Sequence, residues 1–539
     1  MIASLRKDGA VGPPFRRLLV ANRGEVAVRI IRACRESGVE AVAVYSDADR
    51  DAAHVRLADD AVWIGPAAPT ESYLRVEAVV QAALDSGAEA IHPGYGFLAE
   101  RAAFARAVED AGLVFVGPSP AAIEALGDKL HARRLAASVG VDAVPGTLQP
   151  APLDRPDQVE TIVAEAERIG FPLLVKAAAG GGGRGMRRVE GPRDLPAALA
   201  SGSREAASAF GDGAVYLERE IRPARHVEVQ LLGDADGTVV ALGERDCSLQ
   251  RRHQKLIEEA PAPGLDQDER RRLHDLAVRL GTAAGLRNAA TAEFLLAPDG
   301  SFYFLEVNTR LQVEHGVTEL VAGVDIVREQ LALAAGRPLS DAVRAAAARA
   351  AEPAGHAIEV RLSAEDPGRD FAPTPGVVRR WVMPSGPGVR VDTALASGDR
   401  VPPDYDNLIA KVMVHAADRD AAIDRLRRAL DETEVAGIQT TLPFHRFVAR
   451  EASFRAGELS TDWVAARWDG PAAYAAAASS AQLAAGLAAL GGAAGHGAAG
   501  PGASGRVLGD PPRARPAEAA SNGRWRRAGL DRLVDRWPR

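Results

Sequence analysis

A lysine followed by a run of glycines makes residues 175–186 a candidate phosphate-binding loop. The stretch reads VKAAAGGGGRGM, so that Lys176 precedes the glycines, whereas the lysine of a Walker P-loop follows them and opens a helix. Glycine amides can approach phosphate oxygens without interference from side chains, and ordering so many glycines costs conformational entropy. The pattern predicts a loop that closes over phosphate groups. A flexible linker is the alternative for the loop taken alone.

Two glutamates face each other in a predicted β-hairpin. Residues 291–308, TAEFLLAPDGSFYFLEVN, form two apolar segments around Asp299 and Gly300, a dipeptide typical of two-residue turns. This turn places Glu293 opposite Glu306 with Cβ atoms about 4.5–5.5 Å apart, where two negative charges repel. The face they share is expected to carry four apolar side chains, those of Leu295, Ala297, Phe302 and Phe304. A magnesium ion, which prefers carboxylate and phosphate oxygens, would turn the repulsion into attraction; the alternative is a pair of solvated glutamates on an edge strand.

Polar side chains recur at every second position from the second strand of this hairpin onwards. They are Glu306, Asn308, Arg310, Gln312 and Glu314. An extended chain would show all five on one side, which is also typical of the solvent face of a strand. Joined to the carboxylate pair, the run predicts a site with cation ligands first, then an arginine for a small anion, and then a carboxylate able to act as a base.

A dense run of charges occupies residues 244–261, ERDCSLQRRHQKLIEEAP. Such runs generally mark a solvated face, and part of this one is expected to be exposed. His253 and Lys255 lie two residues apart, so an extended segment would point both the same way. Lys255 is one of only five lysines among 65 lysines and arginines, which favours a need for a compact point charge at that position.

The composition is that of an ordinary soluble globular chain. Its 539 residues, 47% hydrophobic and 25% charged, suggest about three or four domains. The net charge of −7 is modest and unclustered, which argues against nucleic acid or an anionic membrane as the main partner. Cys34 and Cys247 form neither a disulfide framework nor a zinc-ligand spacing, so a cytoplasmic location is expected. Residues 1–17 lack the apolar centre of a signal peptide, and the alanine- and glycine-rich stretch 470–505 favours a flexible tail over a membrane span.

The elements that must position these residues begin with a βαβ unit. Residues 17–47 consist of an apolar strand, a short turn, an amphipathic helix and a second apolar strand. Only Gly24 follows the first strand, whereas a dinucleotide site needs three spaced glycines. We therefore expect a Rossmann-like scaffold without a nicotinamide cofactor, in which the parallel sheet continues to residues 113–119.

A small α/β lid is predicted in the middle of the chain. It would combine a helix over 158–170, a strand over 171–178, the glycine-rich loop and a strand over 214–221, and its glycines would let it move. Strands over 225–234 and 238–249, a helix within 268–286 and the hairpin follow. A smaller region at 354–468 closes the ordered part, and no internal repeat is present.

These motifs resemble, in order and spacing, those of the biotin carboxylases, the ATP-grasp subunits or domains of biotin-dependent carboxylases. The resemblance rests on VKAAAGGGGRGM, YLEREIRPARHVEVQ, ERDCSLQRRHQK, AEFLL, LEVNTRLQVEHGVTE and HAIEVRLSAED, with support from LVANRGEVAVRI, HPGYGFLAE, GDK, FAPTPG and YDNLIAKV. It spans about residues 17–468.

The resemblance implies a multidomain fold of mixed α/β and α+β class. Its expected parts are a flexible extension (1–15), a Rossmann-like N-terminal domain (16–130), an ATP-grasp domain (131–340) with a mobile glycine-rich lid (about 148–220), a C-terminal biotin carboxylase domain (350–468) and a low-complexity tail (469–539).

It also implies an activity. Biotin carboxylases use MgATP to phosphorylate bicarbonate to carboxyphosphate, which yields carbon dioxide for the ureido nitrogen of biotin on a carrier protein. By motif match, the nucleotide would be bound by Lys129, Lys176, Glu218, Arg219, Ile221, His226, His253, Glu293 and Glu306, with Gly182 and Gly183 in the lid over its phosphates.

The remaining matched residues would serve the metal, bicarbonate and biotin. Magnesium or manganese would be held by Glu293, Glu306 and Asn308. Bicarbonate would be held by Lys255, Arg310, Gln312 and Val313, with Glu314 as its general base. Arg310 and Arg361 would stabilise charge as biotin loses its proton, and Arg361 would contact the biotin enolate. Lys255, Arg310, Glu314 and Arg361 are thus the expected catalytic residues.

The resemblance further implies partners. Long family members carry a biotinyl domain with a lysine flanked by methionines, but this sequence has no lysine after Lys411 and no methionine after Met413. The biotin is therefore expected on a separate carrier protein that works with carboxyltransferase subunits, and the chain is expected to form a homodimer or part of a larger complex. The final acceptor would be an acyl-CoA of the acetyl-, propionyl- or methylcrotonyl-CoA type. Lys411 lies in a family motif but has no role that the sequence assigns.

Two other functions stay open at this point. One is another ATP-grasp ligase that activates a different carboxylate, as carbamoyl phosphate synthetases do; the segment EVRLSAED with Arg361 favours biotin instead. The other is a catalytically silent scaffold of a carboxylase complex, against which the presence of all the expected catalytic residues argues.

Overall fold

The computed structural model describes residues 13–151, 159–178, 186–476 and 479. The chain divides into two units, residues 1–474 and 475–539, and the strands and helices below belong to the first. The predicted glycine-rich loop, including Gly182 and Gly183, and most of the predicted tail lie outside the described residues. Among the residues that are described, no helix is long and apolar enough to cross a bilayer.

The N-terminal part is a five-stranded parallel sheet with the strand order β3-β2-β1-β4-β5. Its elements are β1 (Arg17–Val20), α1 (Gly24–Glu36), β2 (Glu40–Ser46), α2 (Ala53–Leu57), β3 (Asp60–Gly65), α3 (Val76–Asp85), β4 (Ala90–His92), α4 (Ala102–Asp110) and β5 (Val114–Phe115). The central strands β1 and β4 are apolar and buried because helices cover both faces of such a sheet. The Rossmann-like prediction is thereby confirmed.

Two short helices lead from this sheet to a small second sheet. They are α5 (Pro120–Gly127) and α6 (Lys129–Ser138), whose first turns are capped by the Ser119 hydroxyl and the Asp128 carboxylate. The second sheet is antiparallel, with the strands β6 (Leu173–Ala177), β7 (Arg187–Val189) and β8 (Val215–Arg219) in the order β7-β6-β8. The same segment of the chain contains the helices α7 (Val159–Ile169) and α8 (Leu195–Phe210). Helix α8 and strand β7 were not anticipated in the predicted lid.

The largest sheet has eight antiparallel strands in the order β13-β12-β9-β10-β11-β14-β21-β19. Its first part comprises β9 (Arg225–Gly233), β10 (Val239–Arg251), β11 (Gln254–Ala260), α9 (Gln267–Ala283), β12 (Asn288–Leu296) and β13 (Phe302–Asn308). Helix α9 opens with a reciprocal capping box between Asp266 and Glu269. Helices α10 (His315–Ala322), α11 (Ile326–Ala334) and α12 (Asp341–Ala348) follow.

The C-terminal strands extend the same sheet instead of forming a separate one. They are β14 (His356–Ser363), β19 (Val389–Thr393) and β21 (Leu408–Ala416), with short pairs formed by β15 (Glu365–Asp366) with β16 (Ala372–Pro373), β17 (Gly376–Val377) with β20 (Arg400–Val401), and β18 (Arg380–Val382) with β22 (Glu434–Ala436). Helices α13 (Arg419–Glu432), α14 (Leu442–Val448), α15 (Ala452–Arg455) and α16 (Trp463–Arg467) complete the unit. Apolar residues of α13 pack on β14 and β21 to form one core cluster.

A buried carboxylate fastens α13 to this sheet. Glu259 in β11 contacts His356 in β14 at 2.7 Å and accepts hydrogen bonds from Arg419 at 2.7 and 3.1 Å. Burial alone would raise the pKa of Glu259, but the contacts with His356 and Arg419 lower it from about 4.5 to about 2. The ionised form is therefore the stabilising one.

Replacing Glu259 with glutamine should reveal this contribution as a pH-dependent loss of stability. Because the folded pKa is the lower one, the contribution is fully present above pH 4.5 and is lost as the pH falls towards 2. We expect E259Q to lower the free energy of unfolding by about 3 kcal/mol at pH 7, since one partner of a buried ion pair is removed. Urea unfolding at pH 7, 5, 4 and 3 should show the difference shrinking below pH 4.5. The exposed E124Q is the control, and a difference that is independent of pH would contradict the assignment.

Candidate active site

The predicted carboxylate pair forms, although the hairpin around it differs from the prediction. Glu293 and Glu306 are directly opposed, as expected. Near the turn, however, Leu296 pairs with Phe302, so the turn has one residue more than Asp299 and Gly300, and an irregularity next to Glu293 restores the register. The two deviations cancel at the glutamates.

The irregularity changes which apolar side chains accompany the glutamates. Phe302 and Phe304 were expected on their face, but they belong to the core, where Phe304 packs edge to face on Phe294 at a centroid distance of 6.0 Å. Leu295, which was predicted on this face, lines the cleft with the two glutamates, and so does Leu305, which was not. The prediction was wrong for Phe302 and Phe304 because a two-residue period cannot anticipate a bulge.

The opposed glutamates belong to a row of charges that crosses four strands. From β13 to β10 the directly paired residues are Glu306, Glu293, Glu228 and Arg245. Glu293 lies on an interior strand and is 5% exposed, which excludes a solvated edge for this residue. Arg245 is fully buried and donates to Glu228, so one of the three negative charges is compensated within the row.

Two lysines compensate the remaining negative charges of the row. Lys255 in β11 donates to Glu228, to Glu293 at 2.9 Å and to Glu314 at 2.7 Å, and Lys129 at the start of α6 contacts Glu306. Burial alone would raise the pKa of Glu293, but the charges of Lys255 and His226 hold it well below its ordinary value. Glu293 is therefore ionised at neutral pH, as a metal ligand must be.

The residues present fit a hard divalent cation. Glu293 and Glu306 offer opposed carboxylate oxygens, and the Asn308 amide donates to Glu293 at 2.8 Å. A second geometric cluster, His226, Glu228 and Glu293, has ligand atoms within 4.8 Å of one another. Glu293, Glu306 and Asn308 offer only oxygen ligands, which magnesium prefers, whereas this cluster includes the nitrogen of His226.

The carboxylates form one wall of a cleft of about 1120 Å³. Nine of the eleven predicted nucleotide residues line it: Lys129, Lys176, Glu218, Arg219, Ile221, His226, His253, Glu293 and Glu306. The other two, Gly182 and Gly183, lie outside the described residues. The structure thus brings together every predicted nucleotide residue that it describes.

Glu218 holds the side chain of Lys176, the lysine of the small sheet, by a hydrogen bond. Its carboxylate accepts from Lys176 at 2.6 Å and from Arg133 of α6 at 2.7 Å. Burial alone would raise the pKa of Glu218, but the charges of Lys176 and Arg133 lower it. Arg133 was missed by the sequence analysis because its contact with Glu218 spans 85 residues.

Arg310 and Gln312, two of the predicted bicarbonate residues, contact each other next to Asn308. Arg310 donates to Asn308 at 3.0 Å, to Gln312 at 2.9 Å and to Glu100 at 2.8 Å. The Gln312 Nε2 group is buried and has no hydrogen-bond partner among the described residues, so it is a donor available to an anion. Only Glu306 and Asn308 of the alternating run lie in a strand, because β13 ends at Asn308.

Glu314 is held by cations from two directions. Its carboxylate accepts hydrogen bonds from Lys255 at 2.7 Å and from Arg361 of β14 at 2.8 Å. Burial alone would raise the pKa of Glu314, but Lys255 and Arg361 hold it well below its ordinary value. Arg361 also donates to Glu258, whose pKa is raised to about 7 by burial.

His253 lines the cleft, whereas Lys255 does not. His253 lies in a tight turn between β10 and β11 with φ of +65°, not in an extended segment, and lines the nucleotide cleft. Lys255 points to the carboxylate row. The sequence analysis missed Glu228 and Glu258. Glu228 alternates with His226 and Gln230 along β9, a signal that could have found it, whereas Glu258 lies between Leu256 and Ala260 on its face of β11 and carried no such signal.

The chain matches three family models in succession. Residues 14–123 match the biotin carboxylase N-terminal domain, 128–342 the ATP-binding domain of the carbamoyl-phosphate synthase L chain, and 359–466 the biotin carboxylase C-terminal domain. The chain belongs to the biotin carboxylase family. The predicted enzyme class, an ATP-dependent ligase that carboxylates biotin with ATP, magnesium and biotin as cofactors, is thereby confirmed.

Individual relatives agree along most of the chain. Biotin carboxylase of Pseudomonas aeruginosa is 49% identical over 448 residues, which are 83% of this chain and 97% of that protein. A pyruvate carboxylase subunit of Methanothermobacter thermautotrophicus is 47% identical over 84% of this chain and 89% of its own. A Campylobacter jejuni biotin carboxylase–β,γ-ATP complex has a TM-score of 0.80 at 42% identity, over 84% of this chain and 99% of its own. The mixed α/β fold prediction is confirmed by this likeness.

Replacing Glu293 with glutamine tests the opposed carboxylates in this biotin carboxylase. The change keeps the shape but removes one of two negative charges, so we expect the magnesium concentration for half-maximal ATP cleavage to rise about tenfold or more. Magnesium titrations of phosphate release at fixed ATP measure this effect, with the exposed E432Q as the control. An unchanged magnesium dependence in folded E293Q would remove Glu293 from the metal site.

Proposed function

We propose that the cleft binds MgATP and bicarbonate side by side, and that the chain carboxylates biotin on a separate carrier protein as the first half-reaction of an acyl-CoA carboxylase. The position of Lys255 carries this proposal. Its ammonium group bridges Glu293, at 2.9 Å, and Glu314, at 2.7 Å. One cation thus joins the proposed metal carboxylate to the proposed base.

On the nucleotide side, lysines and carboxylates divide the work. Lys176 and Lys129 would contact phosphate oxygens, and Glu293, Glu306 and Asn308 would hold magnesium. When bound, the metal ion would neutralise charge on the phosphate oxygens during transfer. The described wall of the cleft supplies positioning and charge, which are the main requirements of phosphoryl transfer.

On the bicarbonate side, the available donors suit a small planar anion. Gln312 offers its unpaired amide group, and Lys255 and Arg310 supply positive charge. The backbone of Val313 would complete this subsite. These groups lie next to the magnesium carboxylates because Asn308 contacts both Glu293 and Arg310.

Glu314 would remove the proton of bicarbonate. It is ionised, as a base must be, but its low pKa makes it a weak base while Lys255 and Arg361 contact it. When these cations turn towards bicarbonate, the pKa of Glu314 rises and proton transfer becomes easier. The resulting dianion would attack the terminal phosphate of ATP and expel ADP.

Arg361 would serve biotin. Its guanidinium group is held by Glu258 on one side and by Glu314 on the other. A cation shared by two acids can stabilise a third negative charge, here the enolate that forms when the ureido group loses its proton. Arg361 therefore connects the bicarbonate subsite to the carboxylation step.

The final acceptor is chosen outside this chain, by a carboxyltransferase. An acyl-CoA acceptor is favoured by the acyl-coenzyme A carboxylase alpha3 subunit of Mycobacterium leprae, which is 47% identical over 460 residues. A 2-oxo acid is the second candidate, since the pyruvate carboxylase relative and a Hydrogenobacter thermophilus 2-oxoglutarate carboxylase domain, 43% identical, are also similar. A ligase for another carboxylate lacks support, because 359–466 matches the biotin carboxylase C-terminal domain. A silent scaffold is disfavoured by the complete set of site residues.

Reconstitution with its biotinylated carrier and carboxyltransferase would test the acceptor. We expect bicarbonate-dependent phosphate release that free biotin increases, followed by fixation of labelled bicarbonate into acetyl-, propionyl- or methylcrotonyl-CoA. Pyruvate and 2-oxoglutarate are the competing acceptors in the same assay. Fixation into either acid alone would replace the acyl-CoA proposal, and phosphate release without bicarbonate would contradict the proposed reaction.

Replacing Arg361 with alanine should separate the two chemical steps. We expect biotin carboxylation to fall by about 10²- to 10³-fold, because a charge-stabilising group is lost from the transition state. Bicarbonate-dependent ATP cleavage should fall by less than about tenfold, through the lost contact with Glu314. Parallel assays of phosphate release and carboxybiotin measure the two effects, with R106A as an exposed control. Equal losses of both activities would contradict the role of Arg361.

A further inference from the structure

Lys411 lies at the centre of β21 although the strand around it is apolar. The side chain is completely buried, and its neighbours in the strand include the buried Val412 and Met413. A buried ammonium group is costly unless it is paired and hydrogen-bonded, so the position demands a compensating arrangement. The sequence alone assigned this lysine no role.

Acids surround the ammonium group of Lys411. Its Nζ lies 3.3 Å from Glu25 of α1 and 3.7 Å from Asp392 of β19, whose pKa is lowered by Lys411 and Arg390. Glu359 of β14 also interacts with Lys411, but burial raises the pKa of this carboxyl group well above its ordinary value. Burial alone would lower the pKa of Lys411, but these acids raise it above its ordinary value. The cation is therefore present throughout the physiological pH range.

The ammonium group of Lys411 also donates a hydrogen bond to the backbone of the active-site loop. Lys411 Nζ lies 2.8 Å from the Val313 carbonyl oxygen, which accepts this bond. Val313 lies between Gln312, the proposed bicarbonate donor, and Glu314, the proposed base. Because a peptide unit is planar, fixing the Val313 carbonyl also fixes the direction of the Glu314 amide and the position of the Glu314 Cα atom, from which the side chain starts.

Lys411 also lies directly opposite Arg361 in the β14–β21 pair. Two like charges at opposed positions repel, so both cations remain there only because acids flank them. Asp392 continues the row on β19, opposite Lys411. Arg361, which is proposed to contact biotin, and Lys411, which contacts the Val313 carbonyl, thus occupy paired positions on neighbouring strands.

The contacts of Lys411 join three parts of the chain that are distant in sequence. Glu25 comes from the N-terminal sheet region and also receives the Tyr95 hydroxyl group, Val313 follows β13, and Lys411 belongs to the C-terminal strands. A hydrophobic residue could fill the same volume in β21, but it could not hold the carbonyl oxygen of Val313.

We propose that Lys411 is a positioning residue for bicarbonate: its ammonium group, balanced by Glu25 and Asp392, holds the Val313 carbonyl and thereby sets the geometry of Gln312 and Glu314. This inference rests on the proposed function. A positioning role differs from a general structural role because a change at Lys411 would then affect the binding of bicarbonate and not that of ATP. The nucleotide residues Lys129, Lys176 and Glu218 have no contact with Lys411 in the described structure.

The test is K411M in the full chain, which removes the charge and the donor but keeps a long side chain. We expect the KM for bicarbonate to rise about 10- to 100-fold, as for the loss of a charge-assisted hydrogen bond, while the KM for ATP changes less than about twofold. Phosphate release at saturating MgATP, with bicarbonate varied in degassed buffer, and a parallel ATP titration at saturating bicarbonate provide the two constants. The exposed E432Q is the control, and neither KM should change in it.

Three further results decide the inference. K411R should restore part of the affinity for bicarbonate, because it retains a charged donor. If K411M does not fold, the double variant K411M/D392N removes one of the uncompensated acids; failure of this variant to fold as well would assign Lys411 a purely structural role and overturn the proposal. Equal changes in the KM for ATP and bicarbonate would also overturn it. A wild-type chain without bicarbonate-dependent ATP cleavage would instead contradict the proposed function itself.

Discussion

The active site depends on the neutralisation of buried carboxylates by a few cations. Glu228 and Glu293 occupy neighbouring interior strands, where unpaired negative charges would cost several kcal/mol each. Arg245 and Lys255 make this row possible, and Lys255 extends it to Glu314. Lys255 therefore has two roles in the proposed function: it compensates the buried carboxylates of the sheet, and it would bind bicarbonate.

The sheet determines how precisely these charges are placed. The row from Glu306 to Arg245 follows hydrogen-bonded strand pairing, so its spacing is set by backbone ladders and not by loops. Arg361 is placed in the same way, because β14 pairs with β11, which carries Glu258. The proposed nucleotide and biotin ends thus share one continuous sheet, although they belong to different matched segments of the chain.

Local patterns were sufficient for much of this architecture but not for its long-range contacts. The βαβ unit and the opposed Glu293 and Glu306 follow from apolar periodicity and a turn signal within short segments. The register was correct for a partly wrong reason, because an extra turn residue and a bulge cancel. Glu228 could not be placed in the row from sequence, since its strand pairs with β12 across some 60 residues of intervening chain. The anchoring of Lys411 required contacts from three distant segments.

The arrangement gives a physical route by which the proposed effect of Lys411 on bicarbonate would act. In the β14–β21 pair, Arg361 and Lys411 face each other, and each is held by different acids. Moving either cation would change the repulsion felt by the other and would leave a buried carboxylate unpaired, which is costly in a dry interior. The loop that carries Glu314 is attached to both, through its side chain to Arg361 and through the Val313 carbonyl to Lys411. Two contacts from neighbouring positions of one strand pair therefore hold this loop on the sheet.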